Sequence, residues 1–409
     1  MEKSSVCGRL DCVKITDVTT FVIKNPPPSF GGKYFIVVKL TTDTGIVGYG
    51  EIYAATFGPH LIAALVDDVA ARWVIDQDPN RIELMWRRIY SSGYSLRPDP
   101  TLVGIMSGLE MACWDIVGKD AGKPIYDLLG GRVHEKLRTY TYLYPSAGYR
   151  EVYTNPDHAA ARAVNEVERG FTALKFDPAG PYTAFDGHMP SQDDVVASAQ
   201  MMATLRGAVG PKADLLFGTH GQFTAAGAIR LARELEPFDP LWFEEPCAPD
   251  LPHEMARVAA HTSIPIATGE RLTTISEFAA LGRHQAAGIW QPNLGRCGGI
   301  LAGKKIAAIA EANGCQIAPH LYSGPILGAA NVQLAATLPN LLIIEGIREW
   351  GGFHADLLKT PIQWENGYVI PSTEPGLGVE LNEEVALANP WPDTAGGPLH
   401  LSMEPDPVR

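Results

Sequence analysis

The chain lacks the features that mark a membrane or secreted protein. No apolar run approaches the roughly 20 residues that cross a bilayer, and the first residues contain no basic segment followed by an apolar stretch, as a secretory signal would. We therefore expect a cytoplasmic protein with no membrane role.

Positive charge and clustered cysteines are also scarce. The formal net charge is −13 at pH 7, which argues against nucleic acid or an anionic membrane as a partner but leaves room for a small anionic substrate at a local cationic site. Of six cysteines only Cys7 and Cys12 are close in sequence, and no Cys/His cluster completes a zinc site with them. We expect free thiols in a reducing compartment.

The 409 residues are too many for one small domain, and their patterning changes along the chain. Residues 14–52 alternate apolar and polar side chains, as half-buried antiparallel strands do, and residues 60–118 carry apolar side chains at helical spacing. These patterns predict an α+β domain over residues 1–131, with a Pro- and Gly-rich surface loop at 25–32.

In the second half, short apolar runs each end in a polar residue, and these residues recur about every 25 positions, the length of one strand, one helix and their connections. Such repeats predict a parallel α/β barrel over residues 132–350, whose strand ends converge on one mouth. Eight strands are predicted, at 139–144, 173–177, 214–220, 240–245, 264–270, 288–293, 316–320 and 341–346. A long Pro- and Gly-rich insertion after Asp177 is expected at the mouth, and residues 351–409 are expected to fold back on the first domain.

Two acids at successive strand ends are the main chemical signal. Glu244 and Glu270 should lie a few ångströms apart, as oxygen ligands of a hard divalent cation do, although each could instead pair with a basic neighbour such as Arg271. Lys175 ends an earlier strand and suits a substrate carboxylate or an enediolate, but a salt-bridged lysine explains it equally well.

Two histidines also fall at predicted strand ends. His220 and His320 could flank a substrate from opposite sides, which acid/base chemistry at adjacent carbons requires, although a lone histidine is more often a satisfied buried residue. Tyr144, at the end of the first barrel strand, suits a hydroxyl-bearing ligand, and ordinary packing explains it as well.

Several motifs in combination resemble the enolase superfamily, specifically its mandelate racemase/muconate lactonizing enzyme branch. They are WDIVGKDAGKPIYDLLGG, FEEP, ATGE, QPN followed by GRCGG, and APHLYSGPILGAA; THGQF is similar to the galactonate- and mannonate-type acid-sugar dehydratases. The resemblance implies a (β/α)7β barrel, a capping domain made from the N-terminal segment and the C-terminal tail, and Mg²⁺-assisted removal of the proton α to a carboxylate, with Mn²⁺ as an alternative. It also implies an even-numbered homo-oligomer, and two loops, at 25–32 and about 53–57, that close over the substrate.

The resemblance assigns roles to residues of this chain that match the family pattern. Glu244 and Glu270 match two metal ligands, and His320 matches the base that takes the α-proton. His220 resembles the acid that helps the β-hydroxyl to leave. Lys175 matches the first lysine of a Lys-x-Lys pair, and Glu345 matches the acid that hydrogen-bonds the substrate carboxylate.

Three positions depart from that pattern. Gly218 stands where an Asp ligand is expected, Asp177 replaces the second lysine, and Asn293 replaces the Asp that partners the catalytic histidine. We hypothesise that the Asp177 carboxylate fills the space vacated at Gly218, with His220 as the competing ligand; Mg²⁺ favours the oxygen donor. Without an anion at 293, the pKa of His320 should be lower than in relatives.

These residues predict an acid-sugar dehydratase whose substrate is a small carboxylate and whose product is a 2-keto-3-deoxy acid. Two alternatives remain open at this stage. A racemase, epimerase or cycloisomerase shares the enediolate, and a barrel that has lost its metal could survive as a binding or structural protein.

Overall fold

The computed structural model describes residues 13–54, 57–94, 97–146, 151–178 and 187–392. The chain opens with three antiparallel strands, β1 (Ile15–Lys24), β2 (Tyr34–Thr42) and β3 (Val47–Ile52), with β2 in the centre. Four helices follow: α1 (Pro59–Trp73), α2 (Ile82–Ser91), α3 (Pro100–Asp120) and α4 (Ile125–Leu128). This α+β arrangement agrees with the alternating and helical patterns of the sequence.

Helix α3 is the core helix of this unit. It packs across β3 at very short range, since a Cβ added to Gly50 would overlap the backbone carbonyl of Gly108. In length and apolar composition alone α3 could cross a membrane, but 78% of the qualifying window is buried inside the protein. The burial of α3 inside the protein thus accounts for its apolar composition, a property that core helices share with membrane helices.

The barrel strands are β4 (Leu137–Tyr142), β5 (Ala173–Phe176), β6 (Asp214–Phe217), β7 (Trp242–Glu244), β8 (Ile266–Thr268), β9 (Ile289–Trp290), β10 (Gln316–Ile317) and β11 (Ile344–Glu345). They pair in parallel in chain order, and β11 returns to pair with β4. A parallel bridge between Ile317 and Leu341 closes the remaining gap. All eight predicted strands are present, and the barrel is closed.

Seven helices connect these strands: α5 (Pro156–Glu168), α6 (Gln192–Val209), α7 (Ala225–Leu235), α8 (Pro252–Ala259), α9 (Ile275–His284), α10 (Gly299–Ala312) and α11 (Pro325–Ala335). In the described residues, the helix that follows the eighth strand directly is the four-residue α12 (Phe353–Asp356), which is too short to be an eighth helix of this layer. The expected (β/α)7β barrel is therefore confirmed.

The barrel interior is filled by side chains rather than by a channel. One buried residue from each of the eight strand segments joins a single cluster: Tyr140, Ala173, Leu216, Trp242, Ala267, Ile289, Ala318 and Ile343. Layers of this kind pack the inside of such barrels. The cluster forms a floor, above which the polar residues at the carboxyl ends of the strands collect.

The C-terminal segment attaches to both units. The hairpin β12 (Gln363–Glu365) and β13 (Tyr368–Ile370) adds to the barrel through antiparallel pairing of β13 with β4. Beyond α13 (Glu383–Ala388), the chain returns to the first sheet, where the Trp391 amide donates to the Val22 carbonyl at 2.9 Å. The predicted fold-back is thus seen at the end of the tail, while its hairpin extends the barrel.

Two buried acids fasten the first unit over the barrel. Glu51 accepts hydrogen bonds from the amides of Gly324 (2.6 Å) and Leu327 (2.9 Å) at the start of α11. Glu110 does the same for two amides at the start of α10. Burial raises the pKa of Glu51 to about 7 and that of Glu110 to about 8. Unpaired N–H groups at helix N-termini favour such acceptors, so these contacts hold the cap over the barrel.

Candidate active site

Some site residues lie at the ends of barrel strands and others follow them: Glu244 and Glu345 are the last residues of β7 and β11. His220 and His320 each come three residues after the last paired residue, and Glu270 comes two residues after. The predicted strands therefore ran two or three residues too far at these positions. At these three positions the chain leaves the hydrogen-bonded ladder before the polar residue, whereas Glu244 and Glu345 are still paired.

Lys175 on β5 and Glu244 on β7 form a fully buried ion pair across the intervening strand β6. The indole N–H of Trp242 donates to the other Glu244 oxygen at 3.0 Å. Burial raises the pKa of Glu244 against the opposing effect of Lys175. Burial also lowers the pKa of Lys175, but Glu244 and nearby carboxylates outweigh it, so that pKa lies above its usual value. The sequence left open that Glu244 pairs with a basic residue, and in the structure that residue is Lys175. Arg271, the neighbour considered for this pairing, donates to Glu245 at 2.8 Å.

Glu270 lies between the two candidate histidines. Its Oε1 is 3.9 Å from His220 Nε2 and its Oε2 is 3.3 Å from His320 Nε2. Only 8% of Glu270 is exposed, and Oε2 has no hydrogen-bond partner among the described residues. Burial would raise the pKa of Glu270, but His320, His220 and Lys175 together hold it below its usual value. The buried Glu270 carboxylate is therefore negatively charged, and its Oε2 accepts no hydrogen bond from the described residues.

The proton of the His320 ring is positioned by Asn293. The Asn293 side-chain nitrogen lies 2.8 Å from His320 Nδ1, and its oxygen accepts the Gly295 amide at 2.9 Å. Since an amide nitrogen only donates, Nδ1 is the acceptor and a neutral ring carries its proton on Nε2. Burial lowers the pKa of His320 to about 3 against the opposing charge of Glu270. Burial is the largest cause of this shift, and the predicted difference from relatives with Asp at position 293 stays a prediction.

This tautomer adds a condition to the predicted role of His320, which stays a prediction. A base that accepts the α-proton at Nε2 needs a lone pair there, and the ring proton must then lie on Nδ1. With Asn293 oriented as observed, the neutral ring of His320 presents an N–H to the site. Proton removal by His320 therefore requires the Asn293 amide to turn.

Glu345 is the acid expected to contact a substrate carboxylate. It is buried, accepts the Leu321 amide at 2.7 Å, and lies 4.0 Å from His320 Nε2. Burial raises its pKa to about 8, although Lys175 opposes the shift. A carboxyl group that holds its proton at neutral pH can donate a hydrogen bond to an anionic ligand.

Asp177 and Gly218 lie side by side where β5 and β6 end. The Gly218 amide donates to the Phe176 carbonyl at 2.9 Å, and a Cβ added to Gly218 would overlap Asp177 Oδ1. Asp177 Oδ1 is buried and has no hydrogen-bond partner in the described part of the chain. The carboxylate thus occupies the space in which a side chain at 218 would begin.

Residues of the cap reach over this mouth. Phe30, on the loop at 25–32, stacks at 4.3 Å between ring centroids on Tyr144, which is 5% exposed. Tyr53 packs edge-on to His320 at 5.9 Å. The expected closure segment at 53–57 includes residues 55–56, and the insertion after Asp177 includes residues 179–186; both stretches lie outside the described residues.

The sequence interpretation missed two neighbours of the site. Arg296 lies 4.5 Å from the centre of the Tyr53 ring, and Trp242 donates to Glu244. Both had readable signals. Arg296 belongs to the GRCGG stretch already noted, and Trp242 precedes Glu244 by two residues in a strand, where alternate side chains share a face.

The donor set suits a hard divalent cation. Among residues 13–54, 57–94, 97–146, 151–178 and 187–392, no three Asp, Glu, His or Cys side chains are already gathered at metal-binding distance. However, Asp177 Oδ1 and Glu270 Oε2 are buried oxygens without hydrogen bonds from these residues. The two Glu244 oxygens, which accept from Lys175 and Trp242, each have a further lone pair. Buried acceptors without partners are rare and costly, and oxygen donors are those that Mg²⁺ prefers. These residues therefore fit the expected metal.

Comparisons with known proteins show the family of the chain and its fold. Residues 17–130 match the mandelate racemase/muconate lactonizing enzyme N-terminal domain, and residues 158–385 match the enolase C-terminal domain-like family. The D-galactonate dehydratase of Pectobacterium atrosepticum is 34% identical over 383 residues, which cover 92% of this chain and 94% of that one. The D-gluconate/D-galactonate dehydratase of Picrophilus torridus is 31% identical over 377 residues, covering 92% and 93%. A mandelate racemase/muconate lactonizing enzyme-like protein of a Roseovarius species shares the fold with a TM-score of 0.93 at 52% identity, covering 96% and 98%.

Proposed function

Because the chain belongs to the mandelate racemase/muconate lactonizing enzyme branch of the enolase superfamily, as its motifs predicted, we propose that it dehydrates an acid sugar. The reaction removes the proton α to a carboxylate and eliminates the β-hydroxyl group as water. Its product is a 2-keto-3-deoxy acid. Relatives named galactonate and gluconate dehydratases, at 34% and 31% identity, support an aldonate as the substrate class.

The observation that carries this proposal is the pair of histidines around Glu270. Their Nε2 atoms lie 3.9 and 3.3 Å from the two oxygens of one carboxylate, on segments that follow well-separated strands. An elimination needs a group that takes the α-proton and a group that protonates the leaving hydroxyl. His320 and His220 supply both within reach of one ligand.

The steps follow from the groups at hand. Protonated Glu345 donates a hydrogen bond to the substrate carboxylate, and Lys175 compensates the charge that develops on it. His320 Nε2 takes the α-proton, and the C–H electron pair forms the carbon–carbon double bond of the enediolate. His220 then protonates the β-hydroxyl, the C–O bond breaks, and the enol product becomes the 2-keto acid.

Glu244 and Glu270 would hold Mg²⁺, or Mn²⁺, which when bound supplies the positive charge that stabilises an enediolate. For His320 to act as the base, the Asn293 oxygen must accept the Nδ1 proton in place of the Gly295 amide. The ring must also release its Nε2 proton to solvent and take up a proton on Nδ1, so this exchange and the turn of the amide both precede proton removal, and Asn293 is a positioning residue. We place the reaction in the cytoplasm, in keeping with an acid-sugar substrate.

The test is a screen of aldonates with Mg²⁺, in which 2-keto acids are detected as semicarbazones. We expect one or a few substrates to be converted, and Lys175→Met to abolish the conversion. The matched control is Lys305→Met, since Lys305 lies on α10 with 38% of its side chain exposed and pairs with Glu83 outside the site. That variant should act as wild type.

The other outcomes select the alternatives. Exchange of the α-proton with solvent without any 2-keto product would replace dehydration by racemisation or epimerisation. Absence of both exchange and metal binding in a folded protein would refute the enzymatic proposal and favour a barrel with a binding or structural role.

A further inference from the structure

We propose that Asp177 is the third carboxylate ligand of the metal centre, so that this ligand is carried by the second barrel strand instead of the third. The family pattern places an Asp at position 218, where this chain has Gly. The inference deepens the proposed function by completing its metal site, and it rests on that site rather than on the identity of the substrate.

Positions 177 and 218 are adjacent in the structure. Strands β5 and β6 pair in register, Phe176 beside Phe217, so that residues 177 and 218 are the next neighbours beyond the ladder. A Cβ added to Gly218 would overlap Asp177 Oδ1 and lie 3.1 Å from Asp177 Cγ. A side chain built at 218 and the existing side chain of 177 therefore compete for the same volume.

The backbone does not require glycine at 218. Its φ angle lies outside the left-handed region that favours glycine, so an L-residue could adopt this conformation. What excludes a side chain is the Asp177 carboxylate, together with Lys175 Cε at 3.2 Å from the added Cβ. The substitutions at 177 and 218 are thus coupled, because one makes room for the other.

The chemistry points to a cation at this place. Asp177 Oδ1 is buried without a hydrogen bond from the described residues, and so is Oε2 of Glu270, a side chain 8% exposed. Burying a carboxylate oxygen that has no hydrogen-bond donor is unfavourable unless a cation binds to it. Asp177 offers an oxygen where His220 offers a nitrogen, and Mg²⁺ selects the oxygen.

The experiment exchanges the two residues and measures metal binding directly. The free Mn²⁺ signal in electron paramagnetic resonance and calorimetric titration with Mg²⁺ are compared for wild type, Asp177→Ala and the double variant Asp177→Ala/Gly218→Asp. We expect Asp177→Ala to weaken binding at least about tenfold and the double variant to recover most of that loss. Asp157→Ala, which removes one negative charge from the first turn of α5, is the control and should bind as wild type.

Circular dichroism and thermal unfolding establish that each variant is folded, and Asp177→Asn replaces the alanine variant if that one does not fold. Unchanged binding in Asp177→Ala, or no recovery in the double variant, would overturn the inference. Loss of binding in His220→Gln with retention in Asp177→Ala would transfer the role to His220. Binding that depends on Asp177 in a protein without dehydratase activity would leave the inference standing and refute only the proposed function.

Discussion

Replacing Asn293 by Asp should reverse the tautomer of His320 and speed proton removal. In the wild type, the Asn293 nitrogen donates to Nδ1 while its oxygen accepts the Gly295 amide. An Asp at this position has only acceptors, so one oxygen can keep the Gly295 bond while the other accepts an Nδ1 proton. The neutral ring then presents a lone pair at Nε2 to the substrate.

The magnitude follows from the hydrogen bonds that the wild type must break. Turning the Asn293 amide removes the Gly295 bond and places two N–H groups against each other in a buried site, which costs about 1–3 kcal/mol. If this cost is part of the barrier, its removal accelerates exchange of the α-proton about 5- to 150-fold. The added carboxylate also stabilises the charged ring, so the pKa of His320 should rise by about 1–3.

The assay has two independent readouts. Nitrogen-15 NMR of histidine-labelled protein distinguishes an Nε2–H ring from an Nδ1–H ring, and deuterium incorporation at the α-carbon reports proton removal. Asn313→Asp is the matched control, because Asn313 caps the end of α10 with an exposed side chain away from the mouth. A wild-type His320 that already carries its proton on Nδ1, or an Asn293→Asp variant whose ring keeps the proton on Nε2, would refute the reasoning.

Three further predictions concern stability and metal binding. Burial lowers the pKa of His354 to about 4, so the unfolded chain takes up a proton below its usual value of 6.5 while the folded protein does not. The contribution of His354 to stability should thus be complete above pH 6.5 and fall by about 2 kcal/mol between pH 7 and pH 5; a pH dependence of urea unfolding that is the same in wild type and His354→Gln would contradict this origin. Glu51→Ala should lower the free energy of unfolding by about 1–3 kcal/mol, because it leaves two buried amides at the start of α11 unpaired. The exposed control Glu83→Ala should lower it by no more than about 0.5 kcal/mol. Equal losses for the two variants in chemical denaturation would argue against a role of Glu51 in holding the cap on the barrel. Glu270→Gln should abolish calorimetric Mg²⁺ binding, and retained binding would remove Glu270 from the metal site.

Much of the fold could be predicted because its signals are local. Eight apolar runs with polar ends gave eight strands, and the alternating segment at 14–52 gave the first sheet. The start of α3 was also readable, since Asp99 caps the helix by accepting the amides of Thr101 and Leu102, and Pro100 follows it. The strand ends at His220, Glu270 and His320 were overestimated by two or three residues because these residues lie beyond the last paired residue, whereas Glu244 and Glu345 are themselves the last paired residues.

The gathering of Lys175, Glu244, Glu270 and His320 in one part of the barrel could be predicted, but not how they pair; their catalytic roles stay a prediction. The motifs named Lys175, Glu244, Glu270 and His320, yet only the folded backbone shows that the lysine neutralises Glu244. The direction of the Asn293 amide depends on the Gly295 backbone N–H, which no side-chain pattern encodes. Contacts between segments distant in sequence carry no local signal, and the electrostatics of the site depend on them.

The three departures from the family pattern form one balanced set. Asp for Lys at 177 makes the site more negative by two charges, while Gly for Asp at 218 and Asn for Asp at 293 each remove one negative charge. The net charge of the site is therefore the one that the family pattern has, although its anions are redistributed. Because like charges in a buried site destabilise each other, a carboxylate added at 177 favours the loss of those at 218 and 293. Restoring Asp at 218 alone, beside the Asp177 carboxylate, should therefore destabilise the site, whereas the same change made together with Asp177→Ala should not.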